Sequence, residues 1–225
     1  MHDIITQLER KQLIWKGEKE AEHQQTLSTG FPELDQKLYG GFPTHGVVEI
    51  QSISGIGEFR LLTPHIQHTA NERLLVLINP PGYLSAEYLH ASGIAPQRIR
   101  LVYPQTPQHA LWAAEQCLKS GACSTVCLWQ TQLEVHHTKR LQVASEKGHC
   151  LQFLFKSTSE HVFSLPVSLS LNLSPHNDGI EVTITKRKGG FPRSRFLVPM
   201  GTHWPELALA KPCSTVIPFP MQKQG

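Results

Sequence analysis

The chain has 225 residues, enough for one large domain with its own core, and its 40% hydrophobic and 17% charged residues suit a globular protein slightly low in charge. A formal net charge of +3 is too weak to mark a nucleic-acid binder by itself, so any such role must rest on local clusters. No apolar run approaches the roughly 18–20 residues of a membrane span, and the opening MHDIITQLERKQLIWKGEKE lacks the apolar core of a secretion signal; a cytoplasmic protein with no membrane partner is expected.

Five cysteines, an odd number with no C-x-x-C pair, suggest small core residues kept reduced. Thirteen histidines include His65 and His68 at i and i+3 and the doublet His136–His137, but no third ligand completes a set. Neither a metal nor a cofactor is expected.

Residues 1–26 alternate apolar and charged positions at helical spacing, with Ile4 or Ile5, Leu8, Leu13 and Trp15 on the apolar side. This predicts an amphipathic arm, read either as a docking helix with Trp15 as a candidate anchor for a partner or as a helix packed on its own domain. Residues 27–198 form the predicted core domain. LSTGFPELDQKLYGGFP gives a turn, a short helix and a Gly40–Gly41 stop, after which Val47–Ile50 is a buried strand.

The following loop, SISGIGEF, has the strand–loop–helix layout of a phosphate-binding loop with its chemistry removed. A working loop is G-x-x-x-x-G-K-[ST]. Here Ser52 stands at the first Gly and Gly57 keeps the second, with Gly55 between them, and Glu58 and Phe59 stand where Lys and the magnesium-holding hydroxyl belong. A carboxylate repels a triphosphate and Phe ligates no metal, so no ATPase activity is expected.

Four short apolar runs follow, 74–78, 99–103, 125–129 and 151–155, predicted as strands buried on both faces of a mostly parallel sheet. Helical segments over 85–91, 109–120 and 133–147 separate them, the last two closed by Gly121 and Gly148. The fold class is therefore α/β, a buried sheet flanked by helices. Period-two alternation over 166–173 and 180–186 adds a C-terminal antiparallel hairpin. It ends in a basic run containing Lys186, Arg187, Lys188, Phe191, Arg193 and Arg195. Residues 199–225 are proline-rich and weakly patterned, predicted as a flexible tail in which Trp204 and Phe219 are further contact candidates.

The order TGFPELDQKLYGGFPTHGVVEI, the altered loop and the α/β core resemble the recombinase RecA. SGIGEFRLLTP, QHALWAAEQCLKSGACSTVCLW and RLQVASEKGHCLQFLF are similar to ImuA, a RecA-like family associated with translesion DNA synthesis. YLSAEYLHASGI and GHCLQFLF, within a module of about residues 74–156, resemble the cell-division inhibitor SulA, which shares this module with ImuA.

The RecA resemblance implies a RecA-like core whose acidic catalytic positions fall on the Pro80–Pro81 pair and on Trp129, a pseudo-ATPase. It also implies that Lys186 and Lys188 match a Lys-x-Lys pair that reaches the ATP of a neighbouring RecA subunit; direct contact of the basic run with DNA is the other reading. The ImuA resemblance implies an accessory role in damage-induced (SOS) mutagenesis, with RecA, an ImuB-type polymerase-like protein and an error-prone DnaE-type polymerase as partners. The alternative, from SulA, is an SOS division inhibitor that binds the tubulin-like protein FtsZ through a surface near Arg73, Leu84 and Tyr88.

Overall fold

The computed structural model describes residues 25–69, 73–131, 133–157, 165–188 and 194–205. Trp15, Phe191, Arg193 and Phe219 lie outside them, as do the arm up to residue 24 and the tail from residue 206.

A two-stranded ribbon, β1 (Thr26–Leu27) with β2 (Phe42–Pro43), brackets the short helix α1 (Pro32–Lys37). The main sheet contains β3 (Gly46–Gln51), β4 (Leu74–Ile78), β5 (Ile99–Val102), β6 (Cys123–Trp129), β7 (Leu151–Lys156), β8 (Leu169–His176), β9 (Gly179–Arg187) and β10 (Arg195–Pro199). Helices α2 (Glu58–Thr69), α3 (Ala86–Ala91), α4 (Pro107–Lys119) and α5 (Val135–Gly148) connect its parallel strands.

Spatial order across the sheet is β5-β4-β6-β7-β3-β8-β9-β10. All pairings from β5 to β8 are parallel, and the last two, β8–β9 and β9–β10, are antiparallel. The protein is a mixed α/β fold with a mostly parallel eight-stranded sheet.

Central position explains the apolar runs. Every residue of β7 is buried, because helices cover both faces of the sheet. One face packs on Leu61, Leu62 and Ile66 of α2 together with α1 and α3, and the hairpin adds Leu171, Val182 and Ile184 to that core. The other face packs on Ala110, Ala114 and Leu118 of α4 and Leu141 and Ala144 of α5.

Four expectations need correction. β5 is the sheet's edge, and its Arg100 and Leu101 are exposed, because neighbours cover only one of its sides. The hairpin turn is tighter than the SPHNDG segment suggested: pairing continues through Pro175–Ile180 to His176–Gly179, leaving Asn177 and Asp178 as the turn. Beyond the basic run a further strand, β10, pairs Phe196 with Val182 and Val198 with Ile180. Trp204, assigned from sequence to the tail, packs against the core.

Candidate functional site

The loop whose sequence layout suggests a phosphate-binding loop joins β3 to α2. Glu58 opens α2 and turns its carboxylate back into the loop, where both oxygens accept from the Gly55 amide at 3.1 Å. A helix N-terminus and a glycine turn provide partial positive charge, which an anion satisfies. The chain's own carboxylate supplies that anion, and only 6% of Glu58 remains exposed. Gly55 and Gly57 hold φ of 91° and 97°, a conformation that costs a residue with a Cβ.

Next to the loop lies an aromatic group. Trp129, at the end of β6, stacks on Phe155 at 4.4 Å with rings 4° from parallel, and Phe59 approaches Trp129 at 6.4 Å. Ser52, Ser54, Glu58, Pro81, Trp129 and Lys156 are among the residues lining a cavity of about 310 Å³. Its lysine is committed: Lys156 and Glu49 form an ion pair at 3.1 Å with side chains 2% and 6% exposed. Among the described residues no group of three His, Cys, Asp or Glu side chains is placed to hold a metal. His65, one of the sequence candidates, is a core residue whose Nδ1 meets the Ser28 carbonyl at 2.9 Å between Phe42 and Phe153.

The basic run at the end of β9 does not form a single presented cluster. The Lys186 amine donates to the Leu165 carbonyl. Arg187 lies over the Tyr39 ring at 4.7 Å, and Arg195 pairs with Glu181 across β9–β10. Lys188 is exposed, its backbone amide held by Ser168. Presentation of Lys186 and Lys188 together to a neighbouring nucleotide does not match these contacts, since Lys186 is turned to its own chain.

Arg73, Leu84 and Tyr88 divide between two ends of the sheet. Arg73 precedes β4 and donates to the carbonyls of Gly148 and His149 at 2.6 and 2.8 Å, closing the end of α5. Leu84 and Tyr88 follow β4, whose five residues span about 17 Å. Around Tyr88 the structure builds a patch that the sequence did not disclose. Ser85 caps α3 by accepting from the Tyr88 amide, which fixes the ring's position. The Tyr88 hydroxyl meets Thr63 at 3.0 Å, and the Tyr88 ring lies 5.7 Å from Trp204. The Arg60 guanidinium sits 5.3 Å from the Tyr88 centroid and 5.4 Å from that of Trp204, a cation held against two π faces. Tyr83, just before Leu84, is fully exposed. Beside the patch, Gly30, Gln67, His68, Ser92, His203 and Trp204 contribute to a cavity of about 320 Å³. Arg60 gave no signal in the sequence, and Trp204 gave only its aromaticity.

The loop closed by Glu58 and the half-buried aromatic patch around Tyr88, with Tyr83 exposed beside it, both lie in the part of the chain that resembles known proteins or next to it. Residues 42–152, just under half of the chain, match the family model described as cell division inhibitor SulA. The cell division inhibitor SulA of Photorhabdus laumondii is 33% identical over 98 residues, covering 43% of this chain and 55% of that protein. The cell division inhibitor SulA of Klebsiella aerogenes is 26% identical over 127 residues, covering 51% of this chain and 75% of that protein. The chain thus spans about half the length of the first relative and three quarters of the second. The crystal structure of SulA from Pseudomonas aeruginosa aligns with 49% of this chain and 97% of its own at 28% identity and a TM-score of 0.42.

These matches correct the functional expectation. Of the segments that suggested ImuA, SGIGEFRLLTP and QHALWAAEQCLKSGACSTVCLW lie inside the region matching SulA and RLQVASEKGHCLQFLF overlaps its end, and both relatives are named cell division inhibitors. A translesion-synthesis accessory role, with RecA and polymerases as partners, is overturned in favour of the SulA-like alternative. Among the described residues no helix is long and apolar enough to cross a membrane.

Proposed function

We propose that this chain acts in the SOS response as a SulA-like inhibitor of cell division, binding FtsZ by surface contact and catalysing no reaction. The observation that carries this reading is the match of residues 42–152 to the SulA model. The surface assigned to the contact is the patch around Leu84 and Tyr88, extended by Tyr83, Arg60 and Trp204. A rigid aromatic anchor beside a cation is the composition in which binding hot spots are enriched. Arg73 supports the fold of this module by holding α5 and is not itself the contact.

The self-filled loop supports the non-enzymatic part of the reading, because phosphoryl transfer depends on positioned cations and phosphate donors that are replaced here. The central placing of β3, with β7 on one side and β8 on the other, supports descent from a RecA-like nucleotide-binding core.

The test is sedimentation of purified FtsZ with GTP in the presence of the chain, beside Tyr83→Ala. Tyr83 is wholly exposed, so its loss leaves the fold intact. The expected result is a fall in pelleted FtsZ with the wild type, and about tenfold or more of the variant needed for the same effect. Unchanged FtsZ polymer at equimolar wild-type chain would overturn the division reading; equal potency of Tyr83→Ala would move the contact elsewhere.

A further inference from the structure

On the opposite face of the sheet from Tyr88, helices α4 and α5 lie side by side and leave a groove of about 360 Å³. It is lined by Glu115, Lys119, Lys139, Arg140, Val143, Ala144 and Lys147. The groove follows from spacing. Lys139, Val143 and Lys147 recur at i, i+4 and i+8 along one face of α5, while Trp112, Glu115 and Lys119 recur at i, i+3 and i+7 along α4. Gly148 closes one end, where a Cβ would come within 1.8 Å of the Leu118 carbonyl.

The charge in this groove is not balanced. Glu115 neutralises Arg140 at 2.5 Å. Lys119, Lys139 and Lys147 are exposed, and among the described residues none has an acidic partner. Three uncompensated cations equal the formal net charge of the entire chain, +3. Lys119 and Lys147 sit in the last turns of their helices, where a cation complements the dipole, so their presence has an intramolecular reason. Lys139 sits in the first half of α5 and has none. Between the lysines Val143 is 64% exposed, and on α4 Trp112 is 63% exposed.

We infer that the α4–α5 groove docks an acidic amphipathic helix of a protein partner, its carboxylates on the three lysines and its apolar stripe on Val143 and Trp112. Charge complementarity selects the sign of the partner, and the apolar floor selects its kind. A nucleic-acid backbone would leave Val143 facing phosphate, and the groove's arginine is already engaged by Glu115. The inference does not depend on the division reading, since the groove lies across the sheet from the Tyr88 patch and both can be occupied at once.

The probe is a synthetic 18-residue helix with leucines along one stripe and glutamates elsewhere, compared with the same peptide carrying lysines. Binding to the full chain is followed by peptide anisotropy and Trp emission. The acidic peptide is expected to bind at low salt, to weaken about tenfold between low and physiological-plus salt, and to exceed the lysine peptide at every salt. Lys119→Glu/Lys139→Glu/Lys147→Glu should lose at least tenfold, and Lys139→Glu alone a measurable part. Val143→Lys separates the two kinds of surface: it adds charge yet removes the apolar floor, so docking of a helix weakens, whereas purely electrostatic attraction strengthens. Equal binding of both peptides, an unaffected triple variant, or tighter binding by Val143→Lys would overturn the proposal. So would a DNA duplex that binds in a triple-sensitive way while the acidic peptide does not.

Discussion

A histidine ring enclosed between two phenylalanines meets protons on different terms from one in water. Burial lowers the pKa of His65 from its ordinary 6.5, only partly offset by the Ser28 carbonyl and by Asp35. The neutral ring donates from Nδ1 to Ser28, so the native state resists the second proton. As pH falls through 6.5 the unfolded chain takes up that proton first. Stability is therefore fully present above about pH 6.5 and declines below it, down to the folded-state pKa. Urea midpoints at pH 7.5, 6.5 and 5.5 should show this decline, and His65→Asn, which keeps a donor without titrating, should show a shallower one. An identical slope in the variant would assign the acid sensitivity to another group. Sequence showed His65 as one of a histidine pair at helical spacing and could not show its enclosure, which depends on Phe42 and Phe153 arriving from other elements. The loop between β3 and α2 divides in the same way. A strand, a glycine turn and a helix were legible in its sequence. The inward fold of the Glu58 carboxylate onto the Gly55 amide was not, because a sequence does not show which way a side chain turns.

At the scale of elements, glycine carries two meanings that sequence does not separate. Gly121 and Gly148 both follow helical patterns, and in sequence both read as helix stops. Gly121 has φ of 74° and open space around its missing side chain, as a stop requires. Gly148 is still helical; the left-handed position falls on His149, with φ of 47°. Its reason is contact, since α4 and α5 approach so closely that a Cβ would meet the Leu118 carbonyl and the Lys119 Cα. Gly148→Ala is expected to cost about 1–3 kcal/mol of stability through overpacking, with the unfolding midpoint shifted and the slope unchanged. Gly121→Ala should cost less, limited to the strain of a positive φ. Strand β4 is legible over its full length because five consecutive apolar residues leave no other reading. β10 is not legible in the sequence because Phe196 to Val198 is too short to show a period, and only pairing with β9 makes it a strand.

Across the whole molecule, the sheet joins two halves that differ in hydrogen-bonding direction and in how far relatives illuminate them. The SulA match ends at residue 152, before the end of β7, so β8 to β10 fall outside it. A buried polar network ties the halves together. Glu49 on β3 takes Lys156 of β7 through Oε1 at 3.1 Å and accepts from Ser170 of β8 through Oε2 at 2.7 Å. Thr185 of β9 continues the chain to Ser170 at 2.9 Å. Lys156 meets Glu49 as a charge, outside hydrogen-bond alignment, so its desolvation is repaid by Coulomb attraction alone among the described contacts. Removing one partner strands the other in a dry interior. Lys156→Met is therefore expected to cost about 3–5 kcal/mol, and Glu49→Leu a similar amount. The double variant should recover most of that loss, because two apolar side chains at these positions leave no charge unpaired. Equilibrium urea unfolding of the four proteins completes the cycle, read at neutral pH and repeated at high salt, where a buried pair is screened little. Additive losses in the double variant would mean that Glu49 and Lys156 act separately. A strong non-additive recovery would make this pair the joint through which the parallel half and the C-terminal hairpin unfold as one unit.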